Sequence, residues 1–275
     1  GETHKGPDPV IHFYEDFLHE YDPELRKRMG AYYTPQPVVN FMVNTVDNIL
    51  KQEFNLPSGL ADISKTKQGE HRVQVLDPAT GTGTFISAII GKIYKHLLDN
   101  GQKGRWFSYV HDDLLPRIFG FELMMAPYTI AHLKLGIAFR KTGFWDFHKR
   151  LGIYLTNSLE EISNQSDLFA FGLAESIAEE SKEATVVKTK RPIMIVIGNP
   201  PYSGVSSNET EYANKLVEKY KVEPGGKVKL QEKKHWLNDD YVKFIAYAEN
   251  MVEKNNEGVV AYITNHGYMD NATFR

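Results

Sequence analysis

Val73-Gln-Val-Leu-Asp77-Pro-Ala79-Thr80-Gly81-Thr-Gly83-Thr84-Phe85 is an apolar run, a glycine turn and the opening of an apolar helix that extends to Leu98. An aliphatic run that ends on a carboxylate predicts a short buried strand. Strand, loop and helix in this order form the first unit of a doubly wound α/β sheet. The glycines let the backbone approach a ligand, and the free N–H groups where the helix starts suit a carboxylate or phosphate. Ile86 stands where the third glycine of G-x-G-x-x-G would fall, which weighs against a nicotinamide cofactor. A tight strand-to-helix turn without a ligand is the alternative reading.

Working outward, further strands are expected at Arg117 to Glu122, Gly152 to Thr156, Ile193 to Gly198 and Gly258 to Thr264, separated by helical stretches. Together with the first they make five parallel strands. Glu122 closes the second, where a carboxylate can accept hydrogen bonds from both hydroxyls of a ribose. Ahead of the glycine loop, Thr34-Pro35 is expected to cap a long helix, with Val38, Phe41, Met42, Thr45, Ile49 and Leu50 as its apolar stripe. Pro9 to Met29 shows helical spacing of Val10, Phe13, Phe17 and Leu18, a lead-in of residues 1–29 before a core of residues 30–275. Glu160 to Lys190 and Ser203 to Asn238 are polar and are expected to be surface insertions.

Ile193-Met-Ile-Val-Ile-Gly-Asn199-Pro200-Pro201-Tyr202 carries the chemistry. A buried strand that runs into two prolines leaves a carboxamide and an aromatic ring at the carboxyl edge of the sheet. A carboxamide oxygen and a backbone carbonyl are the acceptors a planar amine needs, and a tyrosine face can stack on a base taken out of its helix.

With 41% hydrophobic and 24% charged residues, the chain is ordinary for a globular protein. Zero cysteines exclude thiolate metal sites and disulfides, and fit a reducing, cytoplasmic setting. His12, His19, His111, His132 and His235 lack a ligand spacing, so no metal is expected. No apolar run approaches the length of a membrane span. The net charge of −3 is no signature of a nucleic-acid binder, so a DNA substrate would be gripped by a local basic face such as Lys227 to Lys234, or by a domain outside the chain.

These motifs, in this order, resemble the gamma-class N6-adenine DNA methyltransferases of restriction-modification systems. Gly30-Ala-Tyr-Tyr33-Thr34-Pro35 resembles the family's N-terminal cofactor motif, Asp77 to Phe85 its glycine motif, Glu122 with Leu123 its ribose-binding strand end, and Asn199 to Tyr202 its catalytic motif. Asn238 to Phe244 and Gly258 to Asp270 are similar to its later helix and strand motifs. The lead-in His12 to Leu18, with Tyr21 to Arg26 and Thr264 to Tyr268, is most similar to single-polypeptide type I-like (type ISP) enzymes, which join nuclease, helicase and methyltransferase on one chain.

The resemblance implies a Rossmann-like methyltransferase fold, with S-adenosylmethionine held by Tyr33, Thr34, Asp77, Ala79, Thr80, Gly81, Gly83, Thr84, Phe85, Glu122, Leu123, Asn157 and Asn199. It implies methyl transfer to the N6 amine of adenine, with Asn199, Pro200, Pro201 and Tyr202 as the catalytic set. Double-stranded DNA would be read by a recognition domain outside the chain. The family often has a carboxylate where Asn157 stands, and Arg275 precedes the family's second base-stacking aromatic and its last strands, as in a fragment. Modification of RNA bases or of a protein glutamine is the alternative chemistry, and a cofactor-binding module without catalysis is the alternative role.

Overall fold

The computed structural model describes residues 34–160, 174–202, 208–223, 228–229 and 235–270. The helical lead-in, Tyr33, most of the Lys227 to Lys234 stretch and residues 271–275 lie outside the described residues. The chain runs α1 (Gln36–Gln52), β1 (Val75–Asp77), α2 (Thr84–Asp99), β2 (Ile118–Glu122), α3 (Met125–Lys141), β3 (Gly152–Leu155), α4 (Ala174–Lys190), β4 (Ile195–Gly198), α5 (Glu211–Val217), α6 (Asp240–Asn255) and β5 (Val259–Tyr262). The strands form one parallel sheet in the order β3-β2-β1-β4-β5, so the five expected strands are all present, each a little shorter than its apolar run.

Strand register explains why both faces are covered. Val75, Ile118, Ile195 and Val259 are partners across four strands and point into one core, against α1, α2 and α3. Their neighbours Leu76, Phe119 and Val196 are likewise in register and point into the opposite core, against α4, α5 and α6. A strand buried on both faces needs apolar residues at consecutive positions, which is why these segments read as unbroken runs. Phe85, Ile86, Ile89, Ile90, Ile93 and Leu97 of α2 are all buried, each worth about 1.5–3 kcal/mol of apolar burial. At the amino edge the guanidinium of fully buried Arg117 donates to Val73 O (3.1 Å), Leu60 O (2.8 Å) and Tyr109 Oη (2.7 Å), tying together the segments that lead into β1 and β2.

Three expectations need correction. Pro35, not Thr34, is the N-cap of α1, and no side chain caps this helix. The buried stripe of α1 is Val39, Val43, Val46 and Leu50, while Val38 and Phe41 are exposed, Phe41 by 70%. Both stripes have helical spacing, and only packing against α2 and β5 selects between them. Finally, Ala174–Lys190 is the crossover helix between β3 and β4 and not a surface insertion, burying Ala184 and Val187. Ser203 to Asn238 likewise contains α5, which buries Ala213 and Val217.

Candidate active site

All five strands are parallel, so their carboxyl ends meet along one edge, and Asp77, Glu122, Asn157 and Asn199 lie at or just beyond those ends. Gly81 and Gly83 take φ of 54° and 77°, and Gly83 is the N-cap of α2, so the turn from β1 into α2 needs the left-handed region that glycine tolerates. The loop is pinned on β2: Thr80 N donates to Phe121 O (2.9 Å), and Thr80 Oγ1 donates to Asp77 O (3.0 Å). Thr84 Oγ1 accepts from Lys134 Nζ at 2.9 Å. Phe85 differs from expectation, because its ring lies in the core below the loop, 3% exposed.

Glu122 accepts from Gly81 N through one carboxylate oxygen and from Met124 N through the other, both at 2.8 Å. An ionised carboxylate has about four lone-pair sites, so each oxygen keeps capacity for a hydroxyl. Burial raises its pKa, while the N–H groups of Met124, Gly81 and Leu123 oppose the shift. Beside it Leu123 and Met125 are 49% and 50% exposed, an apolar shelf at the mouth of the loop.

Asp77 is fully buried. Its Oδ1 accepts from Ala79 N at 3.1 Å, and its Oδ2 has no partner. Desolvation pushes its pKa up to about 8, with the Ala79 N–H working against this and the Glu122 charge adding to it. The carboxylate sits over Gly198, where a Cβ would come 2.6 Å from Asp77 Oδ1. Gly198 is paired in register with Tyr262, whose buried hydroxyl also lacks a partner and whose pKa is raised by burial and by the Asp77 charge.

Asn199 follows directly. Its Nδ2 donates to Thr34 Oγ1 at 3.1 Å, and its Oδ1 is buried without a partner. Thr34 therefore reaches this edge of the sheet through its contact with Asn199 and not as a helix cap. Pro200 is buried, Pro201 and Tyr202 are partly exposed, and Tyr202 packs against the cluster of Val217, Leu237, Tyr241, Val242 and Ala246. Buried polar atoms are almost always satisfied, so two orphaned acceptors, Asp77 Oδ2 over Gly198 and Asn199 Oδ1 directly after it, mark a place for a group that brings its own donors.

Asn157 is spent differently. Its Oδ1 accepts from Leu159 N (3.0 Å), closing its own turn, and its Nδ2 donates to Asn208 Oδ1 (3.1 Å). Neighbouring Ser158 hooks this turn on the glycine loop by donating to Pro78 O at 2.5 Å. The sequence did not single out Ser158, Gly198, Tyr262 or Lys188, which donates into the same turn. Gly198 alone had a legible signal, a small residue breaking an aliphatic run just before Asn199.

The N-6 DNA Methylase family model matches residues 5–273. The chain belongs to that family. No curated protein matches it in sequence. Among solved structures it is similar to DrdV in complex with DNA, with a TM-score of 0.68 and 26% identity over 98% of this chain and 24% of that one. It is also similar to LlaBIII, an ATP-dependent Type ISP restriction-modification enzyme bound to DNA, with a TM-score of 0.69 and 23% identity over 96% of this chain and 16% of the other. A nuclease-deletion mutant of the Type ISP enzyme LlaGI, in complex with a DNA substrate mimic, gives a TM-score of 0.68 and 24% identity over 98% of this chain and 23% of that one. The chain thus spans at most about a quarter of these proteins. The likeness to LlaBIII and LlaGI is one of fold. Among the described residues no helix is long and apolar enough to cross a membrane.

Proposed function

We propose that this chain is the cofactor-binding and catalytic core of a DNA methyltransferase that modifies the N6 amine of adenine, within a larger restriction-modification enzyme of the cytoplasm. One observation carries the reading: the Asn199 carboxamide is held by its nitrogen, leaving its oxygen buried and unpartnered, directly after Gly198, over which the Asp77 carboxylate with its own unpartnered oxygen is packed. S-adenosylmethionine, when bound, supplies a methyl group activated by a positive sulfonium. The residues present suit it. The glycine loop admits close backbone approach, Asp77 Oδ2 is a free acceptor for a cationic group, Glu122 keeps lone pairs for ribose hydroxyls, and Leu123 offers an apolar shelf for a flat ring.

Adenine's exocyclic amine is a poor nucleophile because its lone pair is delocalised into the ring. Asn199 Oδ1 and the Pro200 carbonyl would accept its two N–H bonds and draw the lone pair back to the nitrogen, with no covalent enzyme intermediate. Pro200 and Pro201 fix the backbone between those acceptors, and the Tyr202 ring would stack on the base once it has left the duplex. With a net charge of −3, the chain offers no general attraction to phosphate. The reading therefore places sequence recognition of double-stranded DNA, with nuclease and helicase functions, in other parts of the whole protein.

Calorimetric titration with S-adenosylmethionine and its demethylated product tests the cofactor site. Heat of binding is expected. Binding of a dinucleotide in its place would overturn the reading.

A further inference from the structure

Lys188 is a buried cation that the proposed chemistry does not use. It lies near the end of α4, next to Val187, which is buried in the core, and is only 4% exposed. Its ammonium donates to Thr156 Oγ1 (2.9 Å), Asn157 O (2.6 Å) and Glu160 O (2.8 Å), so each of its three N–H bonds has an acceptor. The Phe121 ring lies 5.5 Å away on the β2 side. All three acceptors belong to the turn that leaves β3, whose Ser158 holds the glycine loop through Pro78 O. On its other side Thr210 Oγ1 donates to Leu159 O at 2.5 Å.

An ammonium is costly to bury, and an apolar side chain of the same length would fill the space more cheaply. Burial lowers the pKa of Lys188 to about 8 against the opposing field of Glu160, so the charge is held at a cost near neutral pH. What the charge obtains is the shape of one turn at the rim of the site. We infer that Lys188 is a positioning residue, which fixes the turn Thr156–Glu160 from behind and through Ser158 sets the glycine loop for the cofactor. The inference rests on the cofactor reading above.

The test compares Lys188→Met and Lys188→Gln with the wild-type chain at pH 7. Affinity for S-adenosylhomocysteine is measured by calorimetry, thermal melting is followed without ligand, and hydrogen exchange is read at the amides of Leu159 and Glu160. Removing the donors is expected to weaken binding about tenfold or more, the scale of a lost charged hydrogen bond, and to speed exchange at both amides. Gln, which keeps N–H donors without the charge, should recover a clear part of the affinity. A role in packing alone would rank the two variants by melting temperature and not by donors, and that ranking would overturn the proposal. So would binding by Lys188→Met within about twofold of wild type with unchanged exchange, for each lost charged hydrogen bond is worth more than that. Should the Met variant fail to fold, Ser158→Ala, which cuts the link from the turn to Pro78 O, takes its place, and wild-type affinity there overturns the proposal equally. No heat from the wild-type chain would sink the cofactor reading instead, and the exchange comparison would still decide whether Lys188 holds the turn.

Discussion

Asn199 Nδ2 donates to Thr34 Oγ1 at 3.1 Å, joining residues 165 positions apart in the chain. A carboxamide rotated by a half turn would present its NH₂ group where an acceptor is needed, and an amine substrate could not bind it. In the observed rotation Thr34 Oγ1 accepts from the nitrogen end, which leaves the oxygen for the amine. In the whole protein, Thr34→Val should therefore reduce methyl transfer to duplex DNA by about tenfold, the scale of one net hydrogen bond, and Thr34→Ser should stay within about threefold of wild type. Single-turnover kinetics with tritiated cofactor measures both, and equal rates in the Val and Ser variants would remove Thr34 from this role.

Asn199→Ala removes the acceptor itself. In the whole protein, cofactor affinity should stay within a few-fold while methylation falls by about a hundredfold or more, the range lost when one oriented polar group is taken from a transition state. Tyr202→Ala should weaken capture of the base more than binding of the cofactor, because Tyr202 packs against the cluster of Val217, Leu237, Tyr241, Val242 and Ala246. Near-normal turnover by Asn199→Ala would rule out the assigned chemistry.

The two motifs that carry this site were legible because each forces its local structure. Asp77 to Phe85 needs positive φ at Gly81 and Gly83, and the prolines after Asn199 end a buried strand abruptly. Sheet class was equally plain, since parallel strands are apolar on both faces. What stayed hidden depends on partners distant in sequence. The two candidate stripes of α1 fit the same period, and only docking on the sheet chose Val39 over Val38. Helix α4 looked like a polar insertion because, among the described side chains, it buries small Ala184 and Val187, and because Lys188 hides a charge among backbone acceptors. Thr34 looked like a helix cap, the usual use of a Thr-Pro pair, until Asn199 was placed beside it.

Gly198 gives a prediction that the sequence did not contain. A methyl group there would stand 2.6 Å from Asp77 Oδ1 and 3.7 Å from the Pro78 ring, inside a sheet with no room to move. Gly198→Ala should displace the Asp77 carboxylate, lower the unfolding midpoint and weaken cofactor binding more than tenfold, in line with the 1–3 kcal/mol typical of overpacking a buried site. Gly136→Ala, inside α3 where a Cβ meets nothing within 4 Å, serves as the control and should leave cofactor binding unchanged and the midpoint unchanged or slightly raised. Equal behaviour of the two variants would show that Asp77 has freedom which the packing denies it.

Asp77 also makes stability depend on pH in an unusual direction. A carboxylate with a depressed pKa stabilises the fold as pH rises, but burial raises Asp77 from 3.8 to about 8. The folded state then holds a proton that the unfolded state has released. The contribution of this group is complete below about pH 4 and declines as pH rises toward 8, by at most about 1.4 kcal/mol per pH unit. Glu122, also raised by burial, adds a slope of the same sign. Asp77→Asn carries no such proton, so the difference in denaturation midpoint between variant and wild type should move in the variant's favour from pH 5 to pH 8. A cationic cofactor group beside Oδ2 would favour the ionised acid, and binding at pH 7 should release up to about one proton, seen as a dependence of the calorimetric heat on the ionisation enthalpy of the buffer. A wild-type slope that survives in Asp77→Asn, together with heats that do not vary between buffers, would mean that Asp77 is already ionised and that its unpartnered oxygen is satisfied in some other way.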